Sequence, residues 1–181
     1  DCFKVGEGIF VISDNEKKKL NLSEKERDLI KPLFTTDEIN RYKLSNKNHY
    51  WVIYTSSKFK NPSEIKPYPH IKEHLDKFRK IITTDFKPYG IHRTREESFF
   101  KGEKICSIRK CPIPSFSFVD FDSYVNQVYY VIKTLRINMR FLTGLLNSKL
   151  IYFWLYHKGK RQGEQLQIDR EPLIEIPIIK Q

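Results

Sequence analysis

The hydrophobic spacing of this chain changes once, near residue 136, and that change limits the folds open to it. Before it, apolar residues come in short β-branched and aromatic runs. Tyr50-Trp51-Val52-Ile53-Tyr54-Thr55 is the densest and reads as a buried strand. Lys104 to Ile108, Ser115 to Asp120 and Val128 to Ile132 read as further strands around a turn at Pro112 and Pro114. Phe3 to Ser13 alternates around two glycines, as a hairpin or a strand entering a sheet does. After the change, Phe141, Leu142, Leu145 and Leu146, then Leu150, Ile151, Trp154 and Leu155, fall at helical spacing with a break at Asn147. The expected class is α+β. It has a mixed or antiparallel β-rich part over about residues 1–135 and a C-terminal helical pair over about 136–181, in one domain.

Local signals fill in the connections. Ser23 with Glu26 forms a capping box, and the helix it starts is expected to end near Lys31, because Pro32 disfavours helical geometry in the residue before it. Thr36, followed by Asp37 and Glu38, caps a turn of helix that holds Ile39 and Tyr42. Ile71, Leu75, Phe78 and Ile82 mark an amphipathic helix. Phe86 to Phe100 is a polar, aromatic loop or hairpin. Gly159 and Gly163 frame a Lys-Arg loop, and Leu173 to Ile178 is expected to be the last strand.

Aromatic residues, 13 Phe, 10 Tyr and 2 Trp, supply too much buried surface for a disordered chain. Lys and Arg number 33 against 22 Asp and Glu, a net charge of +11. Such a surplus suits a polyanion, nucleic acid or an anionic membrane, and also a solvated Lys-rich surface. The apolar stretch from Phe141 to His157 is interrupted and too short to span a bilayer, so no membrane role is expected. An odd set of cysteines, Cys2, Cys106 and Cys111, fits a reducing cytoplasm. Cys106 and Cys111 lack the further pair that zinc needs and read as partly buried thiols. The start at Asp1 reads as a cut from something longer.

Catalytic patterns are weak. His70-Ile71-Lys72-Glu73-His74 fits the H-x-x-E-H template of a zinc hydrolase, with both histidines on one helical face. Pro69 puts His70 in the first turn, however, no third-ligand segment stands out, and solvated surface histidines explain the spacing as well. The E-x-K triplets at Glu64 and Glu16 lack the upstream aspartate of a nuclease site. There is no G-x-G-x-x-G, P-loop, G-x-S-x-G or N-P-P-Y/F. No catalytic residue, metal ligand or cofactor is assigned to this chain.

Binding patterns are better. His92, Arg93 and Arg95 lie in Tyr89-Gly90-Ile91-His92-Arg93-Thr94-Arg95, where arginine can grip guanine with two parallel donors. Lys160 and Arg161 sit between Gly159 and Gly163, where backbone can approach a phosphate. Lys104 with Arg109 and Lys110 is the third group. A solvated basic loop is the plain alternative for each.

Taken in order, the segments resemble a family. Phe3 to Tyr42, with Gly8-Ile9-Phe10-Val11-Ile12-Ser13, Ile30-Lys31-Pro32-Leu33-Phe34 and Ile39-Asn40-Arg41-Tyr42, is similar to the opening of the TaqI-like C-terminal specificity domain. Tyr68-Pro69-His70-Ile71, His92-Arg93-Thr94-Arg95, Glu103-Lys104-Ile105 and Asn126 to Ile132 resemble its middle. Phe141-Leu142-Thr143-Gly144-Leu145-Leu146-Asn147-Ser148-Lys149-Leu150, the stretch Gly159 to Gly163 and Pro172 to Ile178 resemble its close. The resemblance implies sequence-specific recognition of duplex DNA for a bacterial restriction-modification N6-adenine methyltransferase. An amino-terminal domain of the same chain would hold S-adenosylmethionine, and further domains could cleave DNA with magnesium. The other readings are a specificity subunit of a multi-subunit restriction system, a zinc hydrolase using His70 and His74, and a basic RNA-binding module.

Overall fold

The structure, a computed structural model, describes residues 8–92 and 94–178. Cys2, Arg93 and the start of the Phe3 to Ser13 segment lie outside the described residues. In chain order the first elements are β1 (Val11–Ser13), α1 (Asp14–Lys19), α2 (Glu24–Arg27), β2 (Ile30–Phe34), β3 (Tyr42–Lys43), β4 (Tyr50–Ile53) and α3 (Pro69–Lys77). Then come β5 (Lys104–Ile108), β6 (Lys110–Cys111), β7 (Phe116–Val119), β8 (Tyr124–Val125) and β9 (Tyr129–Ile132). The C-terminal elements are α4 (Met139–Leu146), α5 (Lys149–Lys158), β10 (Lys160–Gln162), β11 (Gln165–Gln167) and α6 (Arg170–Ile174). The class is α+β with mostly antiparallel strands, as the spacing predicts. By contact the chain divides into two compact units. Among the described residues no helix is long and apolar enough to cross a membrane.

The first unit holds residues up to 34 and 48–97. Here β4 lies between β1 and β2, antiparallel to both. Ile12, Ile30 and Ile53 from these strands are buried with Phe59, Ile65 and the α3 residues Ile71 and Leu75. Two boundaries differ from the sequence reading. The capping box at Ser23 is present, but α2 stops at Arg27 and Pro32 sits inside β2. The amphipathic helix ends at Lys77, so Ile82 reaches the core from beyond it.

Glu26 is the fixed point of this unit. Its Oε2 accepts from the Ser23 amide at 2.9 Å and hydroxyl at 2.8 Å, and its Oε1 from the His70 amide at 2.7 Å and the Ile71 amide at 3.2 Å. His70 Nδ1 stands 2.7 Å from Oε2. One buried carboxylate thus serves the N-termini of two helices. Burial pushes its carboxyl up, but hydrogen bonds from His70, Ser23 and Ile71 outweigh that and hold it at about 2. His74 is buried too, against the solvated position its sequence suggests. Its Nε2 lies 2.9 Å from Ile9 O and 3.1 Å from Gly8 O, and its ring meets Phe78 edge-on. The histidines therefore face different structural partners, and no group of three His, Cys, Asp or Glu could hold a metal among the described residues.

The second unit holds residues 35–47 and those from 98 onward. Its sheet runs β3-β7-β5-β9, antiparallel except for β3 beside β7. The expected helical pair covers it. Asn138 caps α4 by accepting from the Arg140 and Phe141 amides, and Ser148 caps α5 by accepting from Ile151. Ile105, Phe116 and Phe118 are buried with Leu142, Leu146, Ile151 and Leu155. Cys106 and Cys111 are buried free thiols, both pushed up to about 11 by burial.

Other expectations shift in this unit. The cap of the turn at Thr36–Glu38 is Thr35, and Tyr42 belongs to β3. Leu150 is 68% exposed rather than core, because α5 buries only Ile151 and Leu155. Residues 173–178 form no strand. Asp169 stands at the N-cap of α6, whose first turn accommodates Pro172.

Acid should destabilise the first unit through Glu26. A depressed carboxylate contributes fully above its ordinary value of 4.5, and that contribution is lost as pH falls toward about 2. Glu26→Ala should cost about 2 kcal/mol or more by stranding its donors, and should flatten the acid transition. Trp51 fluorescence against urea and pH measures both.

Candidate nucleic-acid interface

The segment expected as a Lys-Arg loop is a hairpin. β10 pairs antiparallel with β11, Gln162 opposite Gln165, leaving Gly163-Glu164 as a two-residue turn. Gly163 has φ +63°, which fits the first central position of a type II′ turn, where a side chain is strained. Gly159 serves a different need. A Cβ there would stand 2.5 Å from Leu155 O and 3.2 Å from Gln167 O. Its absence lets the hairpin sit directly on the end of α5.

β6 joins the far side of β11, with Leu166 opposite Cys111 and Gln167 opposite Lys110. The strands thereby unite two sequence clusters, Arg109-Lys110 and Lys160-Arg161, on one small sheet. Arg109 is its junction with the larger sheet, its amide donating to Val128 O at 2.8 Å and its carbonyl accepting from Ile168 at 2.7 Å. Its guanidinium lies 5.0 Å from the Tyr130 ring.

Opposed residues in a sheet point to the same side. One side carries Arg161, Leu166 and Cys111, of which Leu166 and Cys111 are buried. The other carries Lys160, Gln162, Gln165, Gln167 and Lys110, four of them exposed and Gln167 half-buried. Lys110 Nζ donates to Gln162 Oε1 at 2.8 Å across the sheet, which confirms the shared face. Gln167 Nε2 donates to Asp169 at 2.8 Å, and Lys160 Nζ is 3.8 Å from the same carboxylate. Arg161 turns to α5, where its guanidinium lies 4.4 Å from the Tyr156 ring and donates to the Tyr156 hydroxyl. Tyr152, Phe153 and Tyr156 form an exposed aromatic stripe on α5. The three glutamines escaped the sequence reading. Their alternation about inward Leu166, after a Gly-Glu turn, was the available signal.

Lys104 departs from expectation. It is fully buried, and its Nζ donates to Phe121 O at 2.6 Å and Gly102 O at 2.9 Å. Desolvation lowers it to about 8. An ammonium spent on backbone carbonyls offers nothing to a phosphate, so Lys104 leaves the candidate set.

The remaining candidates belong to the first unit. Tyr89 is buried, with its hydroxyl on Asp76, and Ile91 donates to Thr55 O, so the chain is anchored just before His92. His92 is exposed, with Nδ1 3.4 Å from Asp85. Arg95 is exposed, while its carbonyl accepts from the Tyr54 hydroxyl. The backbone is held and the side chains project.

The family model of the TaqI-like C-terminal specificity domain matches residues 31–178, and the chain belongs to that family. A solved structure of the type IIL restriction-modification enzyme MmeI in complex with DNA has a similar fold, with a TM-score of 0.61 at 15% identity. The match covers 91% of this chain and 22% of that one, so the chain spans about a fifth of MmeI. A comparison with curated proteins found no match.

Lys104 gives the second unit a basic pH signature. Below about 8 it is protonated folded and unfolded; between about 8 and its ordinary 10.5 only the unfolded chain holds the proton. Stability should therefore rise with pH through that window, by about 3 kcal/mol. Lys104→Met should abolish the rise, read by urea unfolding of Trp154 fluorescence at either end of the window.

Proposed function

We propose that this chain recognises duplex DNA in a sequence-specific way for a restriction-modification N6-adenine methyltransferase. The observation that carries the reading is the gathering of Lys110, Lys160 and Arg161 on one exposed sheet, in a chain of the specificity-domain family. A surplus of +11 supplies sequence-independent attraction to phosphate, and contacts from side chains to base edges supply the choice of site. MmeI, about a fifth of which has a fold similar to this chain's, was solved with DNA.

In this reading Lys160, Arg161, Lys110 and Arg109 are the duplex contacts of the second unit, and His92, Arg93 and Arg95 are the candidates the sequence offers in the first. Methyl transfer falls to an amino-terminal domain of the same chain that binds S-adenosylmethionine, with the target adenine turned out of the helix. Cleavage with magnesium, where it occurs, falls to other domains, in a bacterial cytoplasm. The zinc-hydrolase alternative is disfavoured by the partners of His70 and His74, which are Glu26 and backbone carbonyls.

Duplex affinity should fall linearly in log–log form with salt, with a slope that reports about four to eight phosphate contacts. Lys160→Ala should weaken all duplexes alike and reduce the slope by about one. Arg95→Ala should instead cost about 1–3 kcal/mol at one base position. Titrations of cognate and scrambled duplexes at several salt concentrations check this, and a flat salt response overturns the DNA reading.

A further inference from the structure

The outer face of the small sheet carries more than the cations that phosphate contacts require. Phosphate oxygens only accept, so a surface built for them is rich in cations and in N–H donors. This face carries Gln162, Gln165 and Gln167 between Lys110 and Lys160, and its turn carries the carboxylate of Glu164. An amide offers a donor and an acceptor side by side, which matches base edges: Gln pairs with adenine N6 and N7. A carboxylate at the tip repels phosphate but can accept from cytosine N4.

The shape agrees. β6 pairs with β11 only at Leu166 and Gln167, so the Gln162–Gln165 pair and the Gly163-Glu164 turn extend past it as the two-stranded tip of the hairpin. The B-DNA major groove, roughly 12 Å wide, admits such a ribbon. Gln162 and Gln165 stand opposite each other at its end, both exposed. Gln162 is also oriented: Lys110 Nζ donates to its Oε1, turning the Nε2 donors away from Lys110. The second lone pair of Oε1 remains for a base. Gln167, tied to Asp169, belongs to the base of the ribbon.

We propose that the β10–β11 ribbon enters the major groove, that Gln162 and Gln165 read base edges there with a preference for adenine, and that Lys110 positions Gln162. This rests on the duplex-recognition reading above and adds to it the element and the residues that choose the site. Arg161, on the opposite side against Tyr156, is left to the backbone.

The test is selection of bound duplexes from a random library by the full chain, followed by sequencing. Wild type should return a motif. Gln162→Ala and Gln165→Ala should each lose preference at one A·T position by about 5- to 150-fold, the range for one bidentate contact, and keep the others. Lys110→Met should broaden the Gln162 position. Gln162→Arg should move that position from A·T toward G·C, a gain that misfolding cannot produce. If all variants return the wild-type motif, or weaken every position alike, the ribbon does not read bases and the proposal falls while duplex recognition stands. If wild type binds duplex without any motif, or binds none, the recognition reading itself fails and this proposal with it.

Discussion

The second unit turns on a single buried amide. Asn147 ends α4, and its side chain meets the backbone of Phe116 as a strand partner would: Oδ1 accepts from the Phe116 amide at 3.1 Å and Nδ2 donates to the Phe116 carbonyl at 2.7 Å. The same Nδ2 reaches Thr143 O at 2.8 Å, and the Asn147 carbonyl accepts from Arg41. All of its polar atoms are used, which is the condition for placing an amide at 4% exposure. That bond set fixes α4 to β7. Ser148 then starts α5 at once, α5 delivers Gly159, and Gly159 seats the hairpin. The position of the polar sheet is thus inherited, step by step, from one side chain in the core.

Glu26 does similar work in the first unit, with a charge instead of an amide. Its burial would be prohibitive without the donors of Ser23, His70 and Ile71, and with them it ties α2 to the start of α3. Of the residues that resemble a metal motif, His70 is consumed in this tie and His74 is held separately by the carbonyls of Gly8 and Ile9. Lys104 is the cationic counterpart in the second unit, held by two carbonyls. In each case an ionisable group is closed inside the fold and bonded there to donors or acceptors of the backbone.

Much of this was legible beforehand. The period change near residue 136, the capping box at Ser23 and the Asn147-Ser148 junction all depend on neighbours within a few residues, so their spacing carried the information. What escaped depended on distant partners. Nothing near Lys104 announces the carbonyl of Phe121 that helps to hold it inside, and nothing near His74 announces those of Gly8 and Ile9. Arg109-Lys110 and Lys160-Arg161 are fifty residues apart in sequence and meet only because β11 pairs on both its edges. The glutamines share a face only through the pairing of β10 with β11, which their own neighbours in sequence do not specify.

The hairpin also separates two jobs that proteins often entangle. Its conformation is secured by backbone features, the turn at Gly163 and the close seat at Gly159, and by the inward Leu166. The side chains at its end bear no packing duty, so exchanging them disturbs stability by about half a kcal/mol or less. A scaffold arranged in this way can change its outer lettering freely while the structure beneath stays the same. Such positions are where new preferences can arise by single substitutions, without any intermediate having to survive a damaged core.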